Sequence, residues 1–313
     1  MAIDRTIELE INGSKQKIRL CAEQAGLAPI LIVQAGLGLP LLHEIRKFQR
    51  HLRLESNFLA GYWEQRGCGD ASEEDAKSVS LRQQVEDLRA VLKWLQIETR
   101  QTAVLLGISL GGTIALQAAE QEAEKVKAVI AISPDAETAL SDAAANLFLK
   151  ERCALVGNSK LSNQLKKLGE PPYTNPSAFQ KRAALLTDLG GIERGKKFNA
   201  LVRETLFSMI RTYGVIGAFK ALRNLNLIQK KLLPELVTLD LFAKPPRLAV
   251  PVHYIFGVQD PLTPEAIVER LPAAICPPSG SVTVAPDAGH MVHFDQPELV
   301  RSIAMRARDA ARA

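Results

Sequence analysis

Apolar and polar positions change their period along this chain, and each change marks an element. Residues 5–11 alternate polar and apolar, the pattern of a half-buried strand, and residues 16–21 alternate again. Asn12 and Gly13 between them tolerate the positive φ of a tight turn, which predicts an antiparallel hairpin. Residues 29–33, 57–63, 126–132 and 251–257, and the run from Thr102 that leads into Ser109, are short apolar runs, suited to strands buried on both faces. Helical spacing lies between them. Residues 41–52 carry a basic outer face, which places His43 and His51 on a surface helix. A helix starting at Ser80 aligns Val85, Leu88, Val91, Leu92 and Leu95, and another covers 112–125. Thr263 reads as an N-cap and Pro264 as the first residue of a helix to Leu271. A last strand at 281–284 and an amphipathic helix from Pro297 to about Ala310 close the chain.

Alternation stops in one place. From 136 to 249 only helix-like patterns occur, at 139–155, 178–189 and 198–233, the last broken near Gly214 and Gly217. Residues 1–135 and 250–313 therefore form an α/β core, a doubly wound and mostly parallel sheet, and 136–249 form a helical insertion. Ligand sites in such sheets lie outside the C-terminal ends of the strands. The polar clusters of this sequence fall at those ends: Gln34 to Gly38, Glu64 to Gly69, Ser109, Asp135, Asp260 and His290.

The most telling stretch is Gly107-Ile108-Ser109-Leu110-Gly111, between an apolar run and an alanine-rich helix. This is the context of a nucleophile elbow, in which small residues two before and two after the serine permit a sharp turn. A serine hydroxyl needs a base, the base needs an orienting acid, and the resulting oxyanion needs donors. Ser109, Asp260 and His290 occur in that order, the triad order known for this kind of elbow. His290 follows Gly289 in the loop after the last strand; His293 is its competitor, and His253 lies inside a strand. Asp135 is the alternative acid, or else the N-cap of the insertion's first helix. Gly36 and the N–H of Leu110 are the expected oxyanion donors.

Composition changes this picture little. The 313 residues carry a net charge of +5, with basic residues outnumbering acidic ones roughly two to one across the insertion. No aromatic-interleaved basic motif argues for a nucleic-acid partner. No apolar run is long enough for a membrane span, and the first residues have no signal-peptide core, so no membrane partner is expected. Four scattered cysteines fit free thiols in a reducing, cytoplasmic setting. No ligand-spaced cluster implies a metal, and Gly36-Leu37-Gly38 lacks the third glycine of a dinucleotide motif, so no cofactor is expected.

With these residues in place, the whole chain resembles an α/β-hydrolase, and more narrowly the prolyl aminopeptidase (proline iminopeptidase) branch. That branch carries an H-G-G-P-G-x-P oxyanion loop, matched here at Gly36, Gly38 and Pro40, and a D-Q-R-G-x-G-x-S stretch, whose Gln-Arg-Gly-x-Gly part is matched by residues 65–69. Gly257 to Asp260 and Gly289-His290-Met291 look like its acid and base motifs, and the insertion corresponds to its cap. The departures are Leu110 where family peptidases have tryptophan, and Gln34-Ala35 in the oxyanion loop. The resemblance implies recognition of a free amine by cap carboxylates, for which Glu170, Asp188, Glu193, Glu204 and Glu235 are available. The expected activity is serine hydrolysis of a small ester, amide or N-terminal proline-type peptide. An esterase, thioesterase or acyltransferase on the same fold, and a catalytically weak small-ligand receptor, are the alternatives. Oligomeric state is left open.

Overall fold

The computed structural model describes residues 1–310. The chain opens with β1 (Ile3–Ile11) and β2 (Ser14–Ala22), paired antiparallel through a turn in which Asn12 and Gly13 take φ of 49° and 73°. β3 (Pro29–Val33), α1 (Ile45–Leu52), β4 (Leu59–Glu64), α2 (Glu73–Lys77), α3 (Leu81–Thr99), β5 (Ala103–Ile108), α4 (Leu110–Gln121) and β6 (Val126–Ile132) follow. Four helices come next: α5 (Thr138–Val156), α6 (Ser159–Leu168), α7 (Pro176–Asp188) and α8 (Phe198–Val237). The chain closes with β7 (Val252–Gly257), α9 (Glu265–Ile275), β8 (Gly280–Ala285), α10 (Val292–Asp295) and α11 (Pro297–Asp309).

The eight strands form one sheet in the order β1-β2-β4-β3-β5-β6-β7-β8, with β1 and β2 antiparallel and all pairs from β4 to β8 parallel. The continuous apolar runs follow from burial on both faces. Leu31, Val33 and Leu105 point into one layer with α3, α4 and α9, whereas Ile30, Ile32, Val104 and Leu106 point into the other with α1 and α11.

Several local expectations are corrected. Residues 42–44 form a 3-10 turn ahead of α1, and His43 within it is buried rather than on a surface helix. The inserted α8 lies over this turn, and its Ser208 hydroxyl donates to His43 O. Helix α9 starts at Glu265 behind Pro264, because the Thr263 side chain is engaged elsewhere. Asp135 does not cap α5, whose N-cap is Glu137. Within α8 the break is at Gly214 alone (φ 71°, ψ 174°); Gly217 stays helical. Helix α6 was not visible in the pattern: it is short and polar, its leucines are only partly covered, and Asn158 fixes its start.

Candidate active site

Only Ser109 separates β5 from α4, and its φ of 52° and ψ of −126° are sparsely populated for a side chain-bearing residue. Close backbone packing enforces the turn. A Cβ on Gly107 would lie 2.6 Å from Gly111 O, and one on Gly111 would lie 2.2 Å from Val33 O and 2.4 Å from Gln34 O. The elbow is thus held by the bonds Ser109 N to Ile132 O and Gly112 N to Ser109 O, both 2.8 Å. The same approach sets the loop after β3, which contains Gly36, against the N-terminus of α4. There the N–H of Leu110 has no partner from a preceding helical turn. The two expected oxyanion donors therefore belong to segments that touch.

Asp260 and His290 leave the ends of β7 and β8. His290 Nδ1 donates to Asp260 Oδ2 at 2.9 Å, and both residues are buried. Thr263 Oγ1 donates to the same carboxylate oxygen at 2.6 Å, and Leu262 N donates to the other at 2.8 Å. Burial alone would raise the Asp260 carboxyl, but the His290 charge and the hydrogen bonds from His290 and Thr263 outweigh it and hold it below its usual value. Burial alone would lower the His290 imidazole; Asp260, with Asp135 behind it, raises it above its usual value instead. The base loop is stapled to the insertion, since His290 N donates to Gly191 O at 2.9 Å and Met291 N to Ile192 O at 2.8 Å. Gly289 permits this, because a Cβ there would lie 2.8 Å from both carbonyl oxygens. His293, by contrast, is stacked on Phe48 with ring centroids 5.3 Å apart, and burial drives its imidazole well below the usual value.

Sequence reasoning undervalued Asp135. It sits beyond β6 with Oδ2 3.4 Å from Ser109 Oγ, and Thr113 Oγ1 donates to its carbonyl oxygen at 2.5 Å. Burial raises its carboxyl; the charges of His290 and of Arg182, from α7, oppose that rise. Arg182 is itself buried, ion-paired with Asp142 of α5, and lies over the rings of Phe179 and Tyr173 at 5.1 and 5.5 Å. No sequence pattern singles out Arg182, because its neighbours come from three separate segments.

The five carboxylates considered for amine recognition all have partners, and Glu193 and Glu204 line the cavity beside Gln34 together with theirs. Glu170 bonds Asn146 and Lys150, Asp188 accepts from Phe198 N, Glu193 pairs with Lys47, Glu204 pairs with Lys196, and Glu235 accepts from Leu81 N. Glu64, which stands where the prolyl aminopeptidase motif has aspartate, is buried and accepts from Leu41 N, Leu42 N and the hydroxyl of Tyr213 on α8. Arg66 of the same motif holds buried Asp87 and the Ile11 and Asn12 carbonyls. A cavity of about 800 Å³ opens beside Gln34, Ala35 and Met291, under the first half of α8. Among the described residues, no group of three His, Cys, Asp or Glu side chains converges as a metal site would require.

The chain as a whole has known relatives. The model of the alpha/beta hydrolase family matches residues 46–303. A probable aminopeptidase of Bacillus subtilis (strain 168), YbaC, is 24% identical over 299 residues, spanning 93% of this chain and 92% of that protein. Among solved structures, a proline iminopeptidase of Mycobacterium smegmatis superposes with a TM-score of 0.69 at 16% identity, covering 97% of each chain. E-2-(acetamidomethylene)succinate hydrolase superposes with a TM-score of 0.61 at 20% identity, covering 99% of this chain and 100% of that one. At 16% and 20% identity the two solved structures are likenesses of fold. The chain belongs to the alpha/beta hydrolase family.

Proposed function

We propose that the protein is a serine hydrolase that cleaves a small ester or amide through an acyl-enzyme. The observation that carries the reading is the buried His290–Asp260 pair at 2.9 Å, which shares the neighbouring charge of Asp135 with a serine in the strained elbow conformation, whose hydroxyl lies 3.4 Å from Asp135 Oδ2. In this reading Ser109 attacks the carbonyl and His290 takes its proton, later returning it to the leaving group. Asp260 fixes the tautomer by accepting from Nδ1, which leaves Nε2 as the base. Leu110 N–H and Gly36 N–H stabilise the oxyanion at the positive end of α4. Water then releases the acid. The inserted helices, residues 136–249, act as the cap that selects the acyl group.

A second reading within this chemistry is an aminopeptidase, and Asp135 is what favours it. The five inserted carboxylates already have partners, but Asp135 lies 3.4 Å from the Ser109 hydroxyl. An α-ammonium one carbon from the attacked carbonyl would fall within its reach. Hydrolysis of proline p-nitroanilide and p-nitrophenyl butyrate, with Ser109→Ala as blank, separates the readings. Ester turnover alone supports the esterase reading, and anilide turnover lost in Asp135→Asn supports the aminopeptidase. Undiminished turnover of every substrate by Ser109→Ala would refute both.

A further inference from the structure

The inserted helix α8 turns large apolar side chains outward. Gly214 breaks it into two arms, and the inner corner is filled by Met209, Tyr213, Ala218 and Ala221. Small alanines close that corner, so the bulky residues of both arms are left in solvent. On the first arm Val202, Leu206 and Ile210 recur every four residues and are exposed, with Phe207 beside them at 70%. On the second arm Val215, Phe219 and Leu222 form the exposed stripe, Phe219 at 70%, and Ile216 beside them is 76% exposed. Scattered exposed apolar residues need no explanation, but a stripe on each of two adjoining arms marks a surface that is covered in use.

Charge identifies the cover. Residues 198–223 hold four basic side chains and a single acid, Glu204, which is paired with Lys196. Arg223 is paired with Glu73, which leaves Arg203, Arg211 and Lys220 without an ion-pair partner among the described residues. A two-fold contact with a second copy would set these cations against themselves. A surface of anionic phospholipid accepts both the apolar stripe and the cations. The face also borders the cavity beside the oxyanion loop: Phe207 and Arg211 line it, facing Arg46 and Arg50 of α1.

We propose that the outer face of α8 lies on the surface of an anionic phospholipid bilayer, its apolar side chains at headgroup depth and Arg203, Arg211 and Lys220 on lipid phosphates. No helix among the described residues is long and apolar enough to cross a membrane, and a helix lying in the interface needs no such length. The sequence-based expectation of no membrane partner rests on span length and on the lack of a signal-peptide core, neither of which speaks to this mode. The proposal is independent of the reaction at Ser109.

Vesicle sedimentation of the full chain tests it. The protein should pellet with phosphatidylcholine–phosphatidylglycerol vesicles, stay free of pure phosphatidylcholine vesicles, and be released by salt. Ile216→Ser/Phe219→Ser, at two solvent-facing positions, should weaken binding by about tenfold or more. Arg203→Glu/Lys220→Glu should abolish the preference for anionic vesicles while leaving the apolar stripe intact. Failure of the wild-type chain to pellet with the anionic vesicles, equal binding to both vesicle types, or unchanged binding by either variant would overturn the proposal. So would sedimentation velocity showing a lipid-free wild-type dimer that the double-serine variant converts to monomer, which would assign the face to a second copy.

Discussion

Asp135 Oδ2 lies 3.4 Å from Ser109 Oγ, so a second carboxylate, supplied by β6, shares the site with the His290–Asp260 pair at the ends of β7 and β8. Its charge contributes to raising the His290 imidazole above its ordinary value, after the larger contribution of Asp260. In the proposed mechanism only the neutral imidazole accepts the Ser109 proton. Activity therefore falls as pH drops through the raised value, and the acid limb of kcat/KM should lie above the usual histidine value of about 6.5. Removing the negative charge in Asp135→Asn should move that limb to lower pH. An unmoved limb in the pH–rate profile would show that Asp135 does not act on the base.

Asp260 has two jobs that its contacts separate. In the proposed mechanism it fixes the His290 tautomer, and it is itself held by Thr263 Oγ1 and Leu262 N. Asp260→Asn keeps the shape but presents an amide to Nδ1, and kcat should fall about 10³-fold or more. Thr263→Val removes one bond to the carboxylate and leaves its charge, so a loss of about tenfold is expected. Steady-state kinetics of both variants on the same chromogenic ester check this ordering.

The elbow glycines carry a stability prediction. A Cβ on Gly111 meets main-chain oxygens of Val33 and Gln34, which cannot swing aside as a side-chain tip could. Gly111→Ala should cost about 3 kcal/mol, the upper range for overpacking, and should also displace the oxyanion loop. Urea denaturation gives the first effect, through a lower midpoint at unchanged slope. Gly13→Ala has no neighbour within 4 Å and strains only its own φ of 73°, so it should cost less.

Arg66 looks like part of a functional signature in the sequence, yet its contacts are structural. Its guanidinium spans Asp87 and the Ile11–Asn12 turn, and Asp87 is wholly buried. Arg66→Leu leaves that carboxylate without its counter-charge and should cost about 3–5 kcal/mol of stability. Turnover per folded molecule, measured well below the midpoint of thermal unfolding, should stay near wild type. A large fall in kcat in fully folded protein would give Arg66 a place in the chemistry instead.

The sheet was legible because burial on both faces leaves a continuous apolar run, and the runs at 29–33 and 126–132 match β3 and β6 within a residue at either end. The elbow was legible because its geometry admits only small residues at fixed offsets from Ser109. What escaped depends on contacts distant in sequence. His43 looked like a surface residue because the helix covering it lies some 165 positions later. Thr263 looked like an N-cap because that role is local, whereas its bond to Asp260 comes from the way the loop folds back. Asp135 admitted a capping role by position, and only the juxtaposition of β5 and β6 sets it beside Ser109. The outward stripe of α8 was hidden for a related reason: helical periodicity shows that a face is apolar, not which way it turns.

The central claim is that Ser109 is a nucleophile activated by His290. Reaction with a fluorophosphonate, followed by peptide mass mapping, tests it without knowledge of the substrate. One adduct is expected, on the peptide containing Ser109, absent in Ser109→Ala and strongly slowed in His290→Ala. No adduct on the wild-type chain, or an adduct on another serine with Ser109 left free, would contradict the account.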